Sequence, residues 1–259
     1  VSGAGGLDIQ AFVLDNRSGS IGSKGAIDIG VTRLENDAGT LIAERGLKLA
    51  ADEANNSKGR IVAKDELRAK LGALVQNGGE LTTQGALALD ADKVDNGAGR
   101  IAGNRGVVID ARQVDNRAGE IASQGVATLN LTEQLDNRGG KVVADSGLGI
   151  TAPRVLNQDK GVIASRDGLR LSGTELFNGN AGLLSSQRHI GVVDNSGGEI
   201  SSDRAFTLAT SALNNQGGRL LSGGALTLRI AQALDNSLEG IVSGAGGLDI
   251  QAFVLDNRS

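Results

Sequence analysis

The side chains in this sequence whose type and spacing could do chemistry are its carboxylates. Asp15, Asp95, Asp115, Asp136, Asp194, Asp235 and Asp256 each stand directly before an asparagine. Two carboxyl groups about 5–9 Å apart can hydrolyse a glycosidic bond. A catalytic pair, however, belongs to one place in a chain, whereas this aspartate returns coil after coil, as a structural slot does. Stacked aspartates could also hold Ca²⁺, but the calcium-binding nonapeptide Gly-Gly-x-Gly-x-Asp has a different period. His189 is the sole histidine. A general base or metal ligand needs partners, and no second imidazole exists. Its neighbour Ile190 reads as inward-facing, so His189 is expected to face outward. Gly3-Ala4-Gly5-Gly6 looks like a phosphate loop but lacks the Lys-Ser/Thr that would complete one. No catalytic, cofactor-binding or metal-ligating residue is assigned, no cofactor is expected, and the chain reads as a non-enzyme.

The elements that carry the aspartates repeat. The tract Leu14-Asp15-Asn16-Arg17-Ser18-Gly19-Ser20-Ile21 returns as Leu34–Leu41 and as Val114–Ile121. Glycine slots fall at 19, 39, 59, 79, 99, 119, 140, 161, 182, 198, 218 and 239, the last being Glu239 followed by Gly240. Intervals are 20 or 21 residues, except for one of 16 between Gly182 and Gly198. An aliphatic residue follows every slot by two positions, from Ile21 to Ile241. Next comes an alternating pair such as Leu47 and Leu49, or Leu87 and Leu89, the pattern of a half-buried strand. A third apolar position, such as Leu34, Leu74 or Val94, precedes the next turn. Each coil therefore reads as strand, bend, strand, bend, strand.

The slot three residues before the glycine is Asn16, Asn36, Asn56, Asn96, Asn116, Asn137, Asn195, Asn215, Asn236 or Asn257 in ten of thirteen coils. Gln76, Gln158 and Gly179 fill the others, each beside an asparagine. Asparagine tolerates left-handed backbone and bonds its own turn; stacked at one height, it forms an amide ladder. Gly19, Gly39, Gly59, Gly99, Gly119 and Gly140 are expected to supply positive φ. These asparagines and glycines are the candidate turn-and-ladder residues.

One coil cannot fold alone. About four buried aliphatics give ~2 kcal/mol each, against roughly 20 kcal/mol of backbone entropy for twenty residues. Stacking at about 4.8 Å pairs the open strand edges and lays like side chain over like. The expected fold is all-β, a right-handed parallel β-helix (β-solenoid) of about 20-residue coils, roughly 12–13 of them, some 60 Å long. Residues 1–259 read as a single continuous solenoid segment. Residues 1–18 and 242–259 are the same eighteen letters, so 1–241 reads as one super-repeat and 242–259 as the start of the next copy. The opening residues carry no charged and apolar leader, and the chain reads as an internal piece of a longer molecule.

Composition narrows the partners. There are 40 glycines, one proline, 2% aromatics and no Cys, Met, Trp or Tyr in 259 residues. A net charge of −4 with both signs interleaved offers nucleic acid no basic block. No apolar run reaches the ~20 residues a membrane span needs. No aromatic or basic strip marks a binding face. The four-residue deficit before Gly198 predicts an indentation or bend near His189, apparently between Val192 and Asp194.

The pattern xLDNxxGxIxSxGxLxLxA, carried by Val114–Ile121, Leu135–Val142 and Leu234–Ile241, resembles the filamentous haemagglutinin repeats of two-partner-secretion exoproteins. These are the shafts of adhesins and contact-dependent growth inhibition toxins. The resemblance implies a right-handed β-helix secreted to the bacterial cell surface, outside the outer membrane. It implies as partners the flanking coils of the same exoprotein, an outer-membrane two-partner-secretion transporter, and a host or bacterial receptor bound by regions outside this segment. A rigid shaft projecting a distal receptor-binding or toxin region is the leading reading. The alternative is an adhesin whose solenoid surface itself binds cell-surface ligands.

Overall fold

In the computed structural model, residues 1–173, 175–178, 182–186, 190–197, 199–202 and 205–259 are described. The described chain is all β, wound into about a dozen coils with every strand pairing parallel to its neighbours. Each early coil has a four-residue strand, such as Thr40–Ala43, and a long strand of nine to eleven residues, such as Leu47–Asn55 or Val126–Asp136. The short strands form one sheet, running from Ser2–Gly3 to Leu183–Ser186. Parallel strands need a crossover, and here the rest of the coil supplies it.

Register explains why the aliphatics recur. Leu47, Leu67, Leu87 and Val107 stack coil on coil, as do Ile61, Leu81, Ile101 and Ile121. All are buried and belong to one continuous core. Leu, Ile, Val and Ala suffice because each layer is only one side chain deep on each face. Aligned columns of like size fill it without rings.

The second and third apolar stretches are one strand in these coils, not two. Burial alternates through Leu47, Leu49 and Ala51, then Asp52 and Glu53 are both exposed before Ala54 turns back in. The chain changes face inside the strand, so the coil has three sides, with one continuous corner and two where the strand is interrupted. From Gly147 the long strand divides into Gly147–Thr151 and Arg154–Leu156. Pro153 stands at that corner and has no N–H to give the ladder.

Extra residues enter both at a corner and in the turns. Between Ala111/Gln113 and the strand Val126–Asp136 the register shifts by one, absorbed at the corner. The turn after Asn157 also gains a residue, with Asp159 and Lys160 both at positive φ. The turn after Asn236 does the same with Leu238 and Glu239. As a result Val242, not Ile241, pairs with inward Leu220, and Ile241 lies on the outside, 47% exposed.

The 16-residue interval has a larger effect. Ile190–Asp194 pairs with Gly168–Ser172, matching Val193 to Leu171. Glu199–Ser202, a strand of the short kind, pairs with Glu175–Phe177, the end of the preceding long strand. The repeat thus skips one side of the coil, and the motif continues displaced by one face around the rod. A void of about 20 Å³ lies at the junction, lined by Val155, Leu171, Gly173, Leu176, Val193 and Asn195 among others. His189, Gly179 and Gly198 lie outside the described residues, and with them the expected outward histidine and the core of the expected indentation.

Candidate functional site

The repeated turn is the most elaborate polar arrangement in the molecule. Asn16 Nδ2 donates to Asn36 Oδ1 at 2.7 Å, and Asn36 donates to Asn56 at 2.7 Å. Gln76 takes the next rung, accepting from Asn56 at 3.1 Å and donating to Asn96 at 3.0 Å. The chain of amides continues through Asn116, Asn137, Asn157 and Asn178 at 2.7 Å per step. Beyond the displaced coil, Asn195, Asn215, Asn236 and Asn257 form a second run at 2.6 Å. Each rung also binds carbonyl oxygens, as Asn116 binds those of Gly119 and Lys141. The amides are buried, Asn36, Asn56 and Asn96 completely, and no buried side-chain polar atom among the described residues lacks a partner. Unmet, each such group would cost about 1–3 kcal/mol.

Two rungs and one glycine slot differ from the sequence reading. Asn157 and Asn178 occupy the ladder, not Gln158 and Gly179, and Gly240 fills the glycine slot rather than Glu239. In all three turns the glycine comes four residues after the asparagine. Counting back three from the glycine therefore lands one residue late.

The glycines also do something other than expected. Gly19, Gly39, Gly59, Gly99, Gly119 and Gly140 are not at positive φ; the residue before them is, as in Ser18, Ala38, Lys58, Ala98, Ala118 and Gly139. Glycine is required by close approach. A Cβ on Gly39 would stand 2.1 Å from the carbonyl oxygen of Asn16 in the preceding coil and 2.6 Å from Asn36 Oδ1. The same collision recurs at Gly59, Gly119 and Gly140.

A family model for the haemagglutinin repeat matches residues 2–97, 82–139, 127–192 and 189–252. The chain belongs to the haemagglutinin-repeat family. No match was found among curated proteins or among solved structures. Membership and the stacked-coil fold fit a secreted, filamentous, adhesin-type shaft. The match continues across the displaced coil, so the haemagglutinin repeat persists in sequence where its orientation around the rod changes.

In this haemagglutinin-repeat rod the recurring aspartates brace turns. Asp15 Oδ1 accepts from the Arg17 backbone N–H at 3.1 Å, and Asp15 Oδ2 from Arg17 Nη2 at 2.6 Å. Asp115–Arg117, Asp136–Arg138 and Asp256–Arg258 repeat the arrangement. Asp95, Asp194 and Asp235 accept from the backbone N–H two residues on. The Arg17 side chain, then its backbone N–H, holds Asp15 down to about 2. For Asp235 it is the Ser237 hydroxyl, then the Ser237 backbone N–H, that lowers the carboxyl. At Asp115 burial pushes upward, but the side-chain and backbone hydrogen bonds from Arg117 prevail and the net shift is down. A general acid needs the opposite shift. Among the described residues, no three metal-ligating side chains gather.

The outer faces carry charge pairs that run from coil to coil. Arg33–Glu53 at 2.8 Å, Arg60–Glu80 at 3.1 Å and Arg229–Asp249 at 2.6 Å are examples. Such exposed pairs contribute about 0–1 kcal/mol each. On the long-strand face a shallow depression of about 490 Å³ has Ala50 and Ala88 among its lining, with Lys48, Arg68, Lys70 and Asp90. Two single aromatics, though no strip of them, stand exposed. Phe12 is 76% exposed and its duplicate Phe253 is 86% exposed. Their corner is occupied by Thr32, Asp52 and Asp92 in other coils. Within Ala11-Phe12-Val13-Leu14 the pair looked like part of an apolar run. Only column alignment places Phe12 and Val13 at the two consecutive outward positions.

Proposed function

We propose that this chain is a rigid shaft segment of a large secreted surface exoprotein, exported by two-partner secretion. The shaft carries a distal receptor-binding or toxin region outward for adhesion or contact-dependent growth inhibition. The observation that carries this reading is the buried amide ladder: like rungs repeated coil after coil, in two runs, build length and stiffness, and among the described residues no three metal-ligating side chains gather. We read the chain as a structural element, not an enzyme. We also read residues 1–241 as one unit of a longer array and 242–259 as the entry into the next.

The second reading, an adhesin whose own surface binds, is favoured by Phe12 and Phe253. One experiment separates the two. Labelled chain is titrated onto sibling bacteria and onto epithelial cells, beside the Phe12→Ser/Phe253→Ser double variant. The shaft reading expects weak, non-saturable association that the variant does not change. Saturable binding, competed by unlabelled chain and lost in the double variant, overturns the shaft-only reading in favour of a binding surface.

A further inference from the structure

The short-strand sheet has an outer face unlike the rest of the rod. Its middle column stacks Gly22, Ile42, Val62, Thr82, Ala102 and Ala122 in strict register. It continues through Val143 and Ala164, eight coils without a charge. On one side runs a rail of alternating sign: Arg60, Glu80, Arg100, Glu120 and Lys141. Arg60 and Glu80 pair at 3.1 Å, and Arg100 and Glu120 at 3.4 Å. The other rail is Lys24, Glu44, Lys64, Gln84, Asn104 and Gln124, with Lys64 and Glu44 paired at 3.4 Å. In contrast, the long-strand face sets Asp28, Lys48, Arg68 and Lys70 in its outward rows.

We propose that this face is where two copies of the chain pack side by side, antiparallel, about a two-fold axis between the strands Arg60–Ala63 and Glu80–Thr83. The charge pattern selects that arrangement. Across such an axis Arg60 faces the partner's Glu80, and Glu80 the partner's Arg60. Thr40 then faces the partner's Arg100, and Ser20 the partner's Glu120. On the second rail Lys64, Glu44 and Lys24 meet the neutral Gln84, Asn104 and Gln124. Over six coils no like charges meet. Moving the axis by half a coil sets Arg60 against Arg60. Moving it by one full coil toward Ala102 sets Glu44 against Asp145. A parallel two-fold sets Arg60 against Lys64.

Size matches as well as charge. Ile42 falls on Ala102, the most buried member of the column, Val62 on the isosteric Thr82, and Gly22 on Ala122, so the one bulky residue meets a small one and no two bulky residues oppose each other. Six coils at about 4.8 Å each, about 17 Å wide, bury roughly 1,000 Å² in total, the lower bound for a specific interface. Association is therefore expected in the micromolar range.

The test is sedimentation equilibrium of the 259-residue chain from about 1 to 100 μM, with far-UV circular dichroism as the fold control. A monomer–dimer equilibrium is expected, weakened at least tenfold by Val62→Glu, which points outward and leaves the coil core intact. The chain has no cysteine, so Ile42→Cys/Ala102→Cys should be linked into dimers by a short bis-maleimide. Ile42→Cys/Ala164→Cys should not. A chain that stays monomeric at 100 μM overturns the proposal. So does a dimer that Val62→Glu leaves unchanged, which would arise from strand edges at the rod ends, and so does equal linking of both cysteine pairs.

Discussion

The coils between Ser20 and Asp136 and those around residues 183–202 obey the same repeat and differ in how it is used. In the first region every strand sits on its own counterpart. Leu47–Asn55 pairs with Leu67–Val75 at eight positions, and the amide rungs follow one another at a single corner. In the second, Ile190–Asp194 meets Gly168–Ser172 at three positions with a register shift, and a short strand rests on the end of a long one. Local turn chemistry and rod-level orientation are therefore separable. Asp194, Asn195 and Ser196 build the same turn as their counterparts upstream, though the coil beneath is rotated by one side. The void of about 20 Å³ at the junction costs only about 0.5 kcal/mol. A one-sided deletion is therefore tolerated wherever strand can still find strand.

The largest loss is expected at a central rung. Asn116→Ala removes the acceptor for Asn96 and the donor to Asn137, Gly119 and Lys141. Chemical denaturation should show a loss of about 3 kcal/mol. Glycine at the close approach comes next. Gly39→Ala should cost about 2 kcal/mol because the Asn16 carbonyl cannot retreat from its own coil. Gly149→Ala, with open space around it and ordinary φ, should be neutral or stabilising by about 0.5 kcal/mol. A similar loss at both glycines would show that close approach is not the reason for the slot.

Hydrogen exchange sharpens the contrast between regions. Amides of Leu47–Asn55 should be protected at least a hundredfold more than those of Ile190–Asp194, whose pairing is shorter on both sides. The smallest effect is that of pH. Asp15 is depressed to about 2 in the fold, below its usual 3.8. Its contribution is thus complete above pH 4 and disappears as pH falls from about 4 through 2. Melting temperature should be flat from pH 7 to about 4 and decline below. In Arg17→Gln the decline should be shallower, because the carboxyl without its partner titrates closer to its unfolded value and the pH-dependent contribution shrinks.

Much of this was legible in the chain itself. Aliphatic columns and turn spacing give the coil count, the parallel stacking and the narrow core, since every coil must satisfy the same constraint as the next; the three strands read per coil are two in the early coils, because the chain turns the second corner without leaving the ladder. Where the reading slipped, the constraint was looser. Turns after Asn157, Asn178 and Asn236 accommodate one more residue, so a count anchored on glycine misplaced Gln158, Gly179 and Glu239, and turned Ile241 inward. Collision with a neighbouring coil's carbonyl is invisible in one coil's sequence, and positive φ was assigned to the glycine instead of the residue ahead of it. Phe12 was hidden because hydrophobicity alone does not tell which side of a corner faces water.

The twenty-residue offset between stacked strands also sets how the rod responds to force. Each coil advances the axis by about 4.8 Å, yet holds about 65 Å of extended chain. Pulled from its ends, the filament has more than tenfold of stored length, released one coil at a time as the backbone pairs and amide rung of the outermost turn give way. A solenoid loaded in this way would lengthen in discrete steps and could rewind onto the intact coil beneath when the load falls, behaviour expected of a shock absorber and not of a spacer alone.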